Sequence, residues 1–217
     1  MLVHADDFGY SESVNRAVRD AFCAGQIHRT TLMVNMPHAE EAARLAREGS
    51  FFDKVGLHLN LTEGRALSPE CAASPLCDEN GCFLGTFHVP LRARFYLGRS
   101  IRRAIYAEAE AQMQKYISMG FPLMHMDSHN YTHVYISVYS VVRKLLKKYG
   151  FASVRISRNI PKNDFSLPFA VYKGIFNFLL RHLRVGGKKI RTTKYFGSVQ
   201  DFERLASPEK YRADVEI

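Results

Sequence analysis

The sequence predicts an α/β fold around a largely parallel sheet. Short apolar or alternating runs of strand character recur along it, and segments of helical period separate them. No repeat or low-complexity linker divides them. The 217 residues suit one domain, and 47% apolar with 24% charged residues is enough for a sizeable core. Periodicity alone leaves open whether the sheet is flat-ended or closed into a barrel.

Residues 2–5 (LVHA) read as a short strand, followed directly by Asp6 and Asp7. Residues 11–25 read as a helix, with Ser11 as N-cap, Val14, Ala17, Val18, Ala21 and Phe22 on one face, and Gly25 as the stop. Residues 29–36 are β-branched and apolar, hence a strand. Residues 37–49 form a helix opened by Pro37 and ended by Gly49. Residues 54–61 alternate and read as a strand.

Residues 62–92 are irregular and rich in Gly, Pro, Ser and Asp. A loop that long in a compact domain points to a lid or substrate-contacting segment. A strong amphipathic helix then spans 100–120, a strand 122–127, a helix 134–149 before Gly150, and a strand 152–156. An apolar helix with a basic tail covers 169–184. A short strand at 188–193, a short helix at 198–206 and a strand at 214–217 close the chain.

No apolar run approaches the ~20 residues that span a bilayer, and the start lacks the basic and apolar regions of an export signal. No transmembrane segment is expected, and the cytoplasm is the expected location. Net charge is +9. From Arg143 to Lys194 the only acid is Asp164. Such a half can face nucleic acid or an anionic membrane, but no nucleic-acid motif accompanies it, so nucleic acid is not expected as a partner. Cys71, Cys77 and Cys82 cluster in CAASPLCDENGC with spacings that match no common zinc site, and a reduced loop is the expectation.

Three segments carry acids and histidines at strand ends: HADDFG, GLHLN with His58, and HMDSHNYTH with His125, Asp127, His129 and His133. In α/β folds the C-terminal ends of strands are where ligands bind. His125, Asp127 and His129 share a face if their strand continues that far. Otherwise His129 and His133 lie one turn apart on the following helix. A carboxylate and two imidazoles from separate strands make a divalent metal site with open positions. The second aspartate can then take a proton instead of binding metal, provided the backbone turns between the two. Gly9 and the loop after Asp7 permit that turn. His4, His28, His38, His88 and His182 read as non-catalytic.

HADDFGYSESVNRAV, TTLMVNMPHAEEA, VGLHLNLTEGRALSP, HMDSHNYTHV and ASVRIS, with TTKYFGSV more weakly, make the chain resemble the YdjC-like carbohydrate deacetylases, including the chitooligosaccharide deacetylases and hopanoid-associated homologues. The resemblance implies a distorted (β/α) barrel of the polysaccharide-deacetylase type. It implies hydrolysis of an N-acetyl group from an amino sugar, and Mg2+ or Zn2+ held by Asp7, His58 and His129. Asp6 matches the general base, and Arg155 an arginine that holds the catalytic carboxylate.

Asn130 and Tyr131 stand where the family often has histidines. The family also continues into a His-Pro-Gly segment where this chain ends at DVEI. The expectation is one domain over 1–217, truncated at its C-terminal end, with an incomplete barrel and exposed apolar surface that favours a homo-oligomer. His133 or His125 is then the candidate acid for the leaving amine. Two other readings exist. One is an impaired relative that binds carbohydrate or a partner. The other is a non-haem iron oxygenase, which the β-α alternation argues against.

Overall fold

The computed structural model describes residues 1–85, 95–160, 167–203 and 215–216. Five strands, β1 (His4–Phe8), β2 (Arg29–Leu32), β3 (Val55–Leu59), β4 (His125–Ser128) and β5 (Ser153–Val154), form one parallel sheet in the order β1-β2-β3-β4-β5. The predicted parallel α/β architecture is present. The described strands do not close into a barrel.

The helices between them are α1 (Glu12–Cys23), α2 (Ala39–Glu48), α3 (Pro69–Ala72), α4 (Arg99–Ser118) and α5 (Ile136–Tyr149). After β5 come α6 (Leu167–Arg181) and the antiparallel pair β6 (Arg184–Val185) and β7 (Lys188–Lys189). Then follow β8 (Tyr195–Phe196), α7 (Val199–Glu203) and β9 (Val215–Glu216), with β8 and β9 parallel. The single strand expected at 188–193 is thus a two-residue hairpin arm, and Arg191 alone bridges to Ser153 beside β5. Residues 204–206 of the last predicted helix lie outside the described residues.

Register sorts the sheet into two faces. Parallel partners point the same way, so pairing of Thr31 with Gly56, His58 with Asp127 and His125 with Ser153 puts these on one side. Leu32, Leu57, Leu59, Met126 and Val154 alternate onto the other side, where all are buried in the main hydrophobic core with residues of α2, α4 and α5. Burial of the apolar face sets the register, and a one-residue slip would put the polar set into that core.

The first strand departs from expectation. It runs to Phe8, so both aspartates lie inside it, and its pairing with β2 is irregular between Ala5 and Phe8. Asp7 has φ +65°, a left-handed conformation that is costly for a non-glycine residue. The backbone turn required between the two carboxylates therefore occurs at Asp7 itself. Gly9 follows at φ +92°, where a Cβ would come within 2.9 Å of Leu32. Asn15 on α1 accepts from Gly9 N at 2.7 Å and donates to Glu41 of α2 at 3.0 Å, which clamps the strand end.

The stretch after β3 is more ordered than its composition suggests. Asn60 accepts from the N–H groups of Thr62 and Glu63 at 3.0 Å each, folding the chain back. Glu108 on α4 is fully buried and accepts from Leu67 N and Ser68 N at 3.1 and 2.8 Å. Antiparallel bridges pair Arg65 with Cys82 and Cys77 with Phe83. All four cysteines are free. Residues 86–92 of the predicted lid lie outside the described residues.

Candidate metal centre

Asp7, His58 and His129 converge at the C-terminal ends of β1, β3 and β4. Asp7 Oδ1 lies 3.1 Å from His58 Nε2 and 2.7 Å from His129 Nδ1. One ligand-type atom from each residue lies within 4.8 Å of the others. His58 is 2% exposed, His129 12% and Asp7 37%, so the group opens to solvent on the Asp7 side.

His129 reaches this place because β4 ends at Ser128. The chain then enters a short 3-10 segment, His129–Val134, kinked at Asn130 and Tyr131, both at φ +53°. Two adjacent non-glycine residues in the left-handed region cost on the order of 1–3 kcal/mol each. Neither the continued strand nor the helix turn expected from the sequence forms there.

The donor chemistry fits a divalent cation. The second nitrogen of each imidazole faces a carboxylate: His58 Nδ1 lies 2.6 Å from Asp127 Oδ1, and His129 Nε2 lies 3.1 Å from Glu63 Oε1. Each carboxylate accepts a ring N–H, and the opposite nitrogen, which donates to Asp7 in the metal-free chain, is the one whose lone pair would meet a cation, the pattern that orients metal-binding histidines. The electrostatics agree. Burial opposes charge on His58, but the Asp127 carboxylate outweighs it and lifts the imidazole to about 10. Burial likewise opposes charge on His129, and its bond to Asp7 raises it. Burial favours protonation of Asp7, yet the hydrogen bonds from His129 and His58 hold its carboxyl far below the usual range. The pocket's field thus favours positive charge, and a bound cation would displace the ring protons that otherwise balance it.

Asp6 points to the other side. Its Oδ1 lies 2.9 Å from Arg155 Nη2, and Arg155 Nη1 donates to its Oδ2 at 3.1 Å, a two-pronged clamp. Burial raises the Asp6 carboxyl, and the Arg155 guanidinium overcomes this to leave it lowered. Arg155 is 2% exposed, also meets Asp127 Oδ2 at 2.8 Å, and lies over the Phe196 ring at 4.9 Å.

His133 does not join this group. It is buried, with Nδ1 2.5 Å from Ser128 Oγ and Nε2 3.0 Å from the Arg155 carbonyl. Burial pushes its imidazole down to about 4. Delivering a proton to a leaving group would first require breaking both bonds. His125 is buried against Ser153 Oγ at 3.0 Å.

Sequence reasoning gave no role in the site to three residues. Asp127 is fully buried and joins His58, Arg155 and Thr31, whose hydroxyl donates to it at 3.1 Å. It was visible beside His129, but only the β3–β4 register shows that it faces His58. Glu63 is carried in by the Asn60 turn, for which Asn-x-Thr-Glu-Gly was the available signal. His4, read as non-catalytic, lies 3.4 Å from Asp6 Oδ1 and 3.5 Å from Asp127 Oδ2. His28 and His38 make local contacts, to Val3 N and Glu41, and His182 meets the Phe178 carbonyl. His88 lies outside the described residues.

The profile of the family described as YdjC-like protein matches residues 1–214. The chain is 40% identical over 148 residues to a carbohydrate deacetylase of Geobacillus stearothermophilus, covering 68% of this chain and 56% of that protein. It is 32% identical over 185 residues to a carbohydrate deacetylase of Danio rerio, covering 85% and 54% respectively. The chain thus spans about half the length of the curated relatives it matches. A crystal structure from Enterococcus faecalis, of a protein named for cellobiose-phosphate cleavage, superposes with a TM-score of 0.69 at 21% identity. It covers 99% of this chain and 77% of that one, a likeness of fold.

Proposed function

The chain belongs to the YdjC-like family, and from that premise we propose that it carries the site of a metal-dependent carbohydrate deacetylase. The reaction is hydrolysis of the N-acetyl group of an amino sugar, releasing acetate and a free amine. The observation that carries this reading is the Asp7–His58–His129 convergence, with Asp6 beside it but turned away.

In this proposal Asp7, His58 and His129 hold the cation. Two imidazoles with one carboxylate suit Zn2+ better than the oxygen-preferring Mg2+. Such an ion supplies Lewis acidity, polarising a carbonyl and lowering the pKa of water to ~7. Asp6 is the base. Arg155 holds it ionised and in one orientation, which a general base at neutral pH needs. Asp127 and Glu63 hold His58 and His129 by their outer nitrogens, and Asn60 holds the turn that delivers Glu63.

We read residues 1–217 as one domain and the sheet as the wall of a distorted barrel. Strand order follows sequence order without the reversal of a doubly wound sheet. The wall continues past β5 through Arg191, whose N–H donates to Ala152 O at 2.8 Å, and Phe196, whose carbonyl accepts from Asn159 N at 3.0 Å. Among the described residues no helix is long and apolar enough to cross a membrane. Cytoplasmic residence belongs to the same proposal.

Acetate release from N,N′-diacetylchitobiose tests it. Release that stops with chelator and returns with Zn2+ or Mg2+ is expected. Bound metal without release would favour an impaired relative that binds carbohydrate.

A further inference from the structure

Beside the metal-type cluster lies a cavity of about 250 Å3. It opens between the segment after β4, which carries His129, and the segment after β5, which follows Arg155. Asn130, Tyr131 and Tyr135 line one side, and Phe169, Tyr172 and Lys173 of α6 the other. It lies just below the ~300–1,000 Å3 of drug-sized pockets, the scale of one sugar ring.

The lining is aromatic and held in place. The Tyr172 hydroxyl donates to the Val134 carbonyl at 2.8 Å and accepts from Ile136 N at 3.1 Å, which fixes the ring across the cavity from Tyr131. Lys173 lies 4.4 Å from the centre of the Phe169 ring. Asn130 donates to Thr62 Oγ1 at 3.1 Å, which anchors the left-handed turn on the β3 side. That turn presents Tyr131 40% exposed, with its ring 6.0 Å from Phe196. Phe196 in turn supports Arg155, and Arg155 holds Asp6. The exposed tyrosine and the proposed base are thus linked through Phe196 and Arg155.

We propose that this cavity is the subsite that receives a sugar ring, with Tyr131 as the face against which the ring stacks. The apolar C–H face of a pyranose suits an aromatic ring, and its rim of hydroxyls suits the amide of Asn130. A larger cavity of about 620 Å3 between α4 and α5 includes Arg99, Arg102, Arg103 and Lys144 and none of the metal-type residues. Its charge suits an anion rather than a neutral sugar. The inference rests on the carbohydrate reading above and assigns it a place.

The test measures N,N′-diacetylchitobiose binding to the chelated protein by calorimetry or saturation-transfer NMR. The wild type should bind, Tyr131→Ala should bind about tenfold more weakly, and Tyr131→Phe should keep wild-type affinity. Phe169→Ala, across the cavity and outside the strained turn, should also weaken binding if Tyr131→Ala fails to fold. Equal affinity in wild type and the Ala variants, or no binding by the wild type, would overturn the assignment. Sugar binding without acetate release in the metal-loaded protein would sink the deacetylase reading and leave the subsite standing. Acetate release with an unchanged KM in Tyr131→Ala would do the reverse.

Discussion

Asp7 pulls two imidazoles toward one oxygen, an arrangement that serves a cation better than it serves the folded chain alone. Replacing it removes the carboxylate between two rings that are then left crowded and positively biased. Asp7→Ala should therefore lose bound Zn2+ in elemental analysis, and added Zn2+ should raise the melting temperature of the wild type only. At a hundredfold excess over Kd that stabilisation is about 2.7 kcal/mol. Metal content unchanged in the variant would break the ligand assignment. His133 makes a separate prediction about pH. Its folded pKa of about 4 lies below the ~6.5 of an unfolded histidine. Between those values the unfolded chain binds the proton and the folded one does not, so stability falls as pH falls through that window. The full loss is on the order of 3 kcal/mol, reached near the lower value. Urea unfolding from about pH 7 to about pH 4.5 should show it, and His133→Gln should lack that component of the slope.

Elements place these residues, and elements were the more legible level. Ser11 caps α1, accepting from Val14 N, and Gly150 ends α5 in the left-handed conformation, both as the sequence indicates. Boundaries shifted where side chains compete with period. β2 stops at Leu32 because the chain turns, with Met36 N donating to Met33 O, and α2 begins at Ala39 rather than at Pro37. The order of the stretch after β3 was not legible locally for a physical reason: it comes from Glu108, forty residues away, and not from local pattern. Removing that carboxylate leaves Leu67 N, Ser68 N and a Gln112 amide N–H without their acceptor. Glu108→Ala should cost about 3 kcal/mol. It should also raise amide exchange across residues 64–84, while exchange in β3 rises less. Uniform protection across both would show that the pin does not hold the loop.

At the scale of the molecule, the exposed face of α6 stands out. Leu167, Val171, Ile175 and Phe178 are 76, 53, 50 and 60% exposed and follow helical spacing into one stripe, while Phe176 and Leu180 face the core. A contiguous apolar stripe favours association. Sedimentation should be concentration-dependent, and Ile175→Glu with Phe178→Glu together should make the chain monomeric. Identical sedimentation of both proteins at all concentrations would remove the homo-oligomer expectation. The same helix lines the cavity beside Tyr131 with Phe169, Tyr172 and Lys173 but not with Ile175 or Phe178, so sugar binding should survive that double change.

By itself the sequence determined the residue types of the site, their delivery from three strand ends and the parallel α/β frame. Those depend on local period, on capping residues and on motifs such as HADDFG and HMDSH that are contiguous in the chain. Tertiary structure decided the rest. The turn at Asp7 that separates the two carboxylates, the pairing of His58 with Asp127 through the β3–β4 register, and the return of Glu63 onto His129 join residues up to 122 positions apart. The two aspartates look alike in sequence. The family resemblance gives them different expected roles, and the fold supplies the physical difference by giving one to two histidines and the other to Arg155.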